Sequence, residues 1–329
     1  MVAPAIPSLE PDGGAAMATK RIFAFFVLMT GILFVVDSAA AQATRTWVSG
    51  VGDDANTCAR TAPCKTFAGA ISKTANGGEI NCLDPGGFGG VTITKSLTIK
   101  CHYTEGGVLV SGTNAIVINA TATDKVTLRG LDINGIGTGA PTSLTGVKVL
   151  SAKVVELIDV EIYRFKAGVA VVPTGAGTET QVIIKNSHIH NNDIGVIVAP
   201  GSNTITSVNA GLDNNVISDN VCGVSAGAFG ANASTPNAAT ECGAAESTTG
   251  IDKTAVIAMR NNFLRANATG VFSKGANATI ELAHNTITGS SSFGVKRRNA
   301  GNVRTTIPPT NVISDNAATN APNLTTDLQ

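Results

Sequence analysis

Apolar residues recur along the chain at intervals that are longer than a single strand and regular enough to indicate a repeat. One isoleucine or leucine serves as the anchor of each copy, and the anchors are Ile133, Ile162, Ile189, Ile217, Leu264, Ile287 and Ile313. Successive anchors are 23–29 residues apart, except for one interval of 47 between Ile217 and Leu264. Self-similarity at this period predicts a solenoid in which each copy forms one coil.

Two more apolar columns describe the path of the chain within a coil. Five residues before the first six anchors stand Leu128, Leu157, Ile184, Leu212, Met259 and Leu282. Seven residues before them stand Val126, Val155, Val182, Ala210, Ile257 and Ile280. Side chains alternate between the two faces of a strand, so residues an odd number of positions before the anchor share its inward face only if a corner lies between them. Each coil therefore contains a strand, a tight corner and a second strand. No segment within the coils keeps a period of 3.6 residues. We therefore predict an all-β fold, a right-handed parallel β-helix.

Glycine and asparagine columns mark the corners of the predicted coils. Glycines recur six residues after the anchor, at Gly168, Gly195, Gly223 and Gly270. We expect these glycines to adopt positive φ. Asparagines recur three residues after the anchor, at Asn192, Asn220, Asn267 and Asn316. We expect their side-chain amides to form a hydrogen-bonded ladder along the stack.

The repeat also defines the segments of the chain. We expect an N-terminal segment and cap at residues 42–90, followed by the β-helix at 91–316, with an insertion at about 226–250 in the long interval. A polar tail follows at 317–329. Either the tail or a second subunit would cover the C-terminal end of the stack, and in the second case a homo-oligomer would form through that end.

A short helix is predicted in the cap, from Thr66 to Thr74. Its apolar residues Phe67, Ala70 and Ile71 fall on one side. Such a helix would close the N-terminal end of the stack, where strand edges would otherwise be open to aggregation.

The first 41 residues have the order of a secretion signal. Lys20 and Arg21 precede an apolar run at 22–36, and small residues end at Ala41, where we expect cleavage. Met17 is an alternative start, because residues 1–16 lack the positive charge of such a signal. A retained anchor is the other interpretation, although 15 apolar residues fall short of the roughly 20 that a spanning helix needs. We expect a secreted or periplasmic protein with no membrane contact after cleavage.

The cysteines and the charge balance narrow the possible cross-links, metal sites and partners of the chain. Export favours disulfides among the six cysteines, and proximity in sequence suggests Cys58 with Cys64, Cys82 with Cys101, and Cys222 with Cys242. No cysteine spacing suits zinc, and we assign neither a metal ligand nor a cofactor. The chain has 23 basic and 23 acidic residues and only 4% aromatic residues, which argues against a nucleic-acid partner.

Two N-terminal stretches carry a resemblance to a known family. They are TWVSGVGDDANTCARTAPCKTF and GGEINCLDPGGFGGVTITKSLTI. The chain from about Thr46 to Asn316 resembles bacterial β-helix repeat proteins of the pectate-lyase-like superfamily. That resemblance implies a polysaccharide or cell-surface ligand without specifying an activity. The calcium-binding aspartates and arginine motif of pectate lyases find no match here, nor do the paired aspartates of polygalacturonases.

Outward positions beside the anchors form a polar patch. Directly before three consecutive anchors stand Asp132, Glu161 and His188, and directly after them stand Asn134, Tyr163 and His190. Stacking at about 4.8 Å would place these columns side by side on one strand face. We take the first three residues as candidate catalytic groups. The candidate substrate-binding groups are Asn134, Tyr163, Arg164, Lys166 and His190.

Two functions remain open from the sequence. We favour a scaffold that binds polysaccharide without catalysis, through its outward face or the 226–250 insertion. The alternative is a polysaccharide-degrading enzyme working around residues 132–190. A hydrolase would use neighbouring carboxylates such as Asp132 and Glu161, whereas a lyase would use Arg164 or Lys166 as base. The patch could also be an ordinary polar surface whose unlike neighbours stabilise one another modestly.

Overall fold

A computed structural model describes residues 42–137, 139–173, 177–200, 205–227, 254–298, 300–305 and 310–318. These residues form 27 β-strands and one helix, and the strands belong to three parallel sheets. The predicted signal peptide, nearly all of the 226–250 insertion and most of the 317–329 tail lie outside the described residues. Among the residues that the structure describes, no helix has the length and apolarity needed to cross a membrane.

Each sheet takes every third strand of the repeating coils. Sheet 1 contains β1 (Ala43–Val48), β2 (Thr74–Cys82), β5 (Leu97–Lys100), β8 (Lys125–Arg129), β11 (Val154–Ile158), β14 (Gly177–Lys185), β17 (Ile205–Asp213), β20 (Thr254–Arg260), β23 (Ala278–Ala283) and β26 (Asn302–Thr305). Sheet 2 contains β3 (Gly86–Gly87), β6 (Gly106–Leu109), β9 (Leu131–Asn134), β12 (Glu161–Tyr163), β15 (His188–His190), β18 (Val216–Ser218), β21 (Phe263–Arg265), β24 (Thr286–Thr288) and β27 (Val312–Ser314). Sheet 3 contains β4 (Val91–Ile93), β7 (Ile116–Asn119), β10 (Ser143–Ser151), β13 (Phe165–Val171), β16 (Ile194–Val198), β19 (Cys222–Gly227), β22 (Thr269–Lys274) and β25 (Phe293–Arg298).

The predicted anchors stack on one another in the core. Ile162 pairs with Ile133 on one side and with Ile189 on the other, and all three side chains are fully buried. Burying each such side chain contributes roughly 1.5–3 kcal/mol. The two preceding apolar columns lie in sheet 1 and also point inward. The predicted right-handed parallel β-helix is therefore confirmed.

The predicted capping helix is also present, as α1 (Phe67–Lys73). Thr66 is the N-cap, and its side chain accepts a hydrogen bond from Gly69 N at 2.9 Å. Phe67 is buried, and its ring centroid lies 5.2 Å from that of Phe88. The helix thus buries its apolar side against the first coils.

Two asparagine ladders run along the corners of the coils, one of which was predicted. In the predicted ladder, Asn192 Nδ2 donates to Asn220 Oδ1, and Asn220 Nδ2 donates to Asn267 Oδ1, both at 3.1 Å. Ser290 occupies the next position, and its backbone N–H donates to Asn316 Oδ1. The second ladder is built in the same way and consists of Asn215, Asn262, Asn285 and Asn311.

The glycine column has a different cause from the one predicted. Gly168, Gly195, Gly223 and Gly270 lie within strands of sheet 3, and none of them has positive φ. A Cβ on Gly195 would instead lie 2.6 Å from the carbonyl oxygen of Gly223 in the next coil. The prediction of positive φ was wrong, because close approach between coils is what requires glycine. Positive φ falls four residues earlier, at positions such as Arg164, Asn191 and Asp219.

Two of the suggested disulfides are present, Cys58–Cys64 and Cys82–Cys101. The second joins the end of β2 to the residue after β5, so it holds neighbouring coils together. Cys242, the suggested partner of Cys222, lies outside the described residues.

Candidate functional site

Three consecutive strands of sheet 2 bring the predicted patch together. The register pairs Glu161 of β12 with Asp132 of β9 and with His188 of β15. The same strands pair Tyr163 with Asn134 and with His190. Alternation along each strand buries the isoleucine between the two columns, so both columns face outward.

The side chains of this patch contact one another across the strands. Glu161 Oε1 lies 3.0 Å from His190 Nε2 and 3.7 Å from His188 Nδ1. The two imidazole rings stack with centroids 4.1 Å apart, and the Tyr163 ring stacks on His190 at 5.0 Å. The patch is therefore a connected cluster of charged and aromatic groups.

Hydrogen bonds fix the tyrosine at the centre of the second column. Asn134 Nδ2 donates to the Tyr163 hydroxyl at 3.1 Å, and this hydroxyl donates to the carboxylate of Asp132. Burial raises the pKa of Tyr163, and the negative charge of Asp132 raises it further. The Tyr163 hydroxyl thus lies between the amide of Asn134 and the carboxyl group of Asp132 and interacts with both.

Burial shifts the ionisation of two further groups. It raises the pKa of Asp132, an effect to which the charges of Glu161 and Glu105 add and which the hydrogen bond from Tyr163 opposes. Burial also lowers the pKa of His188, and the neighbouring His190 lowers it further. The cluster therefore favours a protonated Asp132 and an uncharged His188, relative to the same groups in water.

A shallow depression of about 400 Å³ lies along one side of the first column. Asp132, Glu161 and His188 line it together with the segment 101–106, which runs from the end of β5 to the first residue of β6. In the two coils before Asp132, the same column holds Gly107 and Gly87. These two positions of the column carry no side chain, so a ligand could approach the backbone there.

Tyr103 is the most exposed aromatic residue on the rim of this depression. The residue is 95% exposed, and its φ is +75°, which is unusual for a bulky residue. The His102 ring contacts it edge-on with centroids 3.7 Å apart. The adjacent Cys82–Cys101 disulfide ties the segment to the sheet. A strained and exposed tyrosine beside a polar depression suggests a role in binding.

None of the five predicted substrate-binding residues lines the depression, neither Asn134, Tyr163 and His190 of the second column nor Arg164 and Lys166. Arg164 sits at a corner with φ +65°, and its guanidinium lies 5.4 Å from the centroid of the Tyr163 ring. Lys166 is in β13 of sheet 3, where its charge acts on the carboxyl group of Asp193. Neither residue lines the depression, so the structure does not bring the proposed lyase bases to the carboxylates.

Sequence reasoning missed the residues that line the other side of the depression. His102, Tyr103 and Glu105 belong to no repeated column, because they fall in the connection between β5 and β6. The one signal that could have pointed to them is the following cluster of Gly106 and Gly107, which marks a close approach of chain segments.

Comparisons with known proteins agree with the fold. No family model and no curated protein matches the sequence. Among solved structures, pectate lyase Pel9A matches with a TM-score of 0.55 and 13% identity, over 81% of this chain and 69% of that chain. The GH136 lacto-N-biosidase from Eubacterium ramulus matches with a TM-score of 0.49 and 12% identity, over 95% of this chain and 72% of that chain. The match to pectate lyase Pel9A and the three parallel sheets together show that the chain has a right-handed parallel β-helix fold.

Proposed function

We propose that the chain is an exported scaffold that binds extracellular or cell-surface polysaccharide in the depression on sheet 2. The observation that most strongly supports this proposal is that the exposed Tyr103 lines the same depression as Asp132, Glu161 and His188. The faces of sugar rings present C–H groups that stack on aromatic rings, while their hydroxyl groups hydrogen-bond to carboxylates and imidazoles. The two disulfides fit an oxidising compartment outside the cytoplasm.

The shape of the surface favours binding of a long polymer over enclosure of a small ligand. The depression is shallow, and the 101–106 segment forms part of its lining. An open surface of this kind can accept an internal stretch of a long polymer, whereas pockets that enclose small ligands bury most of the ligand surface.

To test this, we would titrate the purified protein with a panel of neutral and acidic polysaccharides and measure binding by calorimetry. We expect saturable binding of at least one polymer, and Tyr103→Ala should weaken it at least about tenfold by removing the stacking surface. The matched control is Leu109→Ala, which removes an exposed apolar side chain from sheet 2 outside the depression. An absence of binding across the panel, or equal losses in both variants, would contradict the proposal.

A second candidate function is glycoside hydrolysis, and the pairing of two carboxyl groups on adjacent strands favours it. Asp132 has a raised pKa and stands directly opposite Glu161 in the register. Two neighbouring carboxyl groups, one of them with a raised pKa, are the pairing that glycoside hydrolases use as acid and nucleophile or base.

Hydrolysis is tested by following new reducing ends and the ultraviolet absorbance of unsaturated uronates during incubation with the same panel. Reducing ends without that absorbance would indicate a hydrolase. Glu161→Gln should then abolish turnover and leave the melting curve nearly unchanged, because this side chain is half exposed. Unaltered turnover in Glu161→Gln would exclude this residue as a catalytic group.

A further inference from the structure

We propose that Glu161, His188 and His190 form a binding site for a divalent transition-metal ion, with Zn²⁺ as the ion to test. The inference goes beyond carbohydrate binding, because it needs no carbohydrate, although Glu161 and His188 also line the depression proposed to hold one. It rests on the geometry of three side chains, the hydrogen bonds behind them and the chemistry of their donor atoms.

The three side chains converge because of the strand geometry. His188 and His190 are two residues apart on β15 and therefore point to the same face, while Glu161 stands opposite His188 on β12. One donor atom from each residue lies within 4.8 Å of the other two. In a tetrahedral zinc site the donors lie about 3.3 Å apart, since each is about 2.0–2.1 Å from the metal. Small side-chain rotations therefore suffice to close the site.

Hydrogen bonds behind the imidazoles suit coordination. His188 Nε2 lies 3.3 Å from the hydroxyl of Ser218, which is buried in the next strand. A hydrogen bond from Nε2–H to this oxygen leaves the lone pair of Nδ1 directed towards Glu161. Metal-bound histidines are commonly held by a hydrogen bond of this kind from the other ring nitrogen. Ser218 would thus position His188 as a ligand.

His190 has a partner that can adapt to the ion. Asn191 Nδ2 donates to His190 Nδ1 at 2.9 Å, which leaves the ring proton on Nε2, the atom that faces Glu161. Turning the Asn191 amide by half a rotation presents its oxygen to Nδ1 instead. The ring proton then moves to Nδ1, and the lone pair of Nε2 becomes free for the metal.

The donor set selects the class of ion. Two imidazole nitrogens and one carboxylate suit zinc, copper, iron or nickel, whereas calcium and magnesium prefer oxygen donors in larger numbers. The side chains of Glu161, His188 and His190 are 49%, 40% and 15% exposed. A metal held by them would keep at least one position open to water, as sites with three protein ligands do.

The experiment is a calorimetric titration of the untagged, EDTA-treated and dialysed protein with ZnCl₂, in the absence of any carbohydrate. We expect one saturable site per chain. Glu161→Gln, His188→Ala and His190→Ala should each weaken it by more than about 100-fold, and Ser218→Ala by about 10- to 100-fold. His284→Ala is the matched control and should bind Zn²⁺ like the unaltered protein, because His284 lies at a separate corner beside Thr310.

Cobalt provides a readout that does not depend on the variants. Co²⁺ in a site with few ligands gives strong visible absorption bands. One equivalent of Zn²⁺ should displace the Co²⁺ and abolish these bands. This measurement decides the proposal even if a ligand variant fails to fold. Absence of saturable Zn²⁺ binding, tighter binding of Ca²⁺ than of Zn²⁺, or equal loss of affinity in His284→Ala would overturn it. Tyr103→Ala should bind Zn²⁺ normally, so failure of carbohydrate binding leaves the metal result interpretable.

Discussion

The outer face of sheet 2 differs between its middle and its C-terminal coils, although the inward face is the same in both. In the column before the anchors, Asp132, Glu161 and His188 are followed by Val216, Phe263, Thr286 and Val312. The inward neighbours are isoleucine or leucine throughout. Stacking constrains the inward positions in every coil, whereas the outward positions are free to vary. A cluster of titratable groups in three adjacent coils is therefore not required by the fold.

The corner ladders should be the most sensitive to substitution. Asn220→Ala removes an acceptor from the Asn192 backbone N–H and a donor from the carbonyl of Ile189, both of them buried. Leaving two buried backbone groups unsatisfied should lower the free energy of unfolding by about 3 kcal/mol. Chemical denaturation measures this loss, and Asn119→Ala, at an exposed strand end, is the control. A change below about 1 kcal/mol would show that water replaces the ladder.

Close packing between coils should come next in size. Gly195→Ala places a Cβ 2.6 Å from the carbonyl oxygen of Gly223, and overpacking of this kind should cost about 2 kcal/mol. Gly211→Ala is a matched control in a strand of sheet 1, because its Cβ would meet nothing within 4 Å. Equal denaturation midpoints for the two variants would argue against a packing role for the sheet 3 glycines.

The same contrast between inward and outward positions explains what could be predicted from the sequence. Anchors such as Ile162 and Ile189 repeat in every coil, so the fold followed from their spacing. The ladder through Asn192 and Asn220 was recognisable for the same reason. The ladder through Asn215 and its successors was overlooked, although it repeats in a similar way. The glycine column was found, but its cause was misjudged, because spacing does not distinguish a turn from a close approach.

The candidate site was only half predictable. Columns placed Asp132, Glu161 and His188 side by side, since strand register follows from the repeat. Tyr103 belongs to a connection that occurs once, and no periodicity places it beside the patch. The contact of Glu161 with His190 crosses between the two columns, and side-chain rotation determines it. Features that depend on a single loop or on rotamers therefore needed the structure.

Acid should reduce the stability contributed by a third kind of position, the corner at Asp124. Burial tends to raise its pKa, but hydrogen bonds from Ser96 and Thr121 outweigh burial and leave the pKa below the ordinary value of 3.8. A depressed pKa in the folded state means that the carboxylate contributes stability above about pH 4. That contribution is lost as the pH falls through the folded-state pKa.

Asp124→Asn should therefore lower the free energy of unfolding by about 1–2 kcal/mol at pH 7, since an amide cannot accept from both Ser96 and Thr121. The variant should also lose less stability than the unaltered protein between pH 5 and about pH 2. Denaturation at several pH values measures both effects. Asp213→Asn is a surface control beside Arg260. An unchanged pH dependence in Asp124→Asn would mean that other carboxylates cause the acid sensitivity.

The smallest effect on stability, with the opposite sign, is expected at Tyr103. Its φ of +75° is unfavourable for tyrosine, whereas asparagine tolerates the left-handed region. Tyr103→Asn should raise the free energy of unfolding by up to about 1 kcal/mol and yet abolish stacking on a sugar ring. Tyr103→Phe keeps both the strain and the ring, so it should retain binding without any gain in stability. Melting temperatures and polysaccharide titrations of the two variants measure these effects. If Tyr103→Asn gained stability and kept full affinity, the strain would be relieved without any loss of function, and the depression would need another residue to hold its ligand.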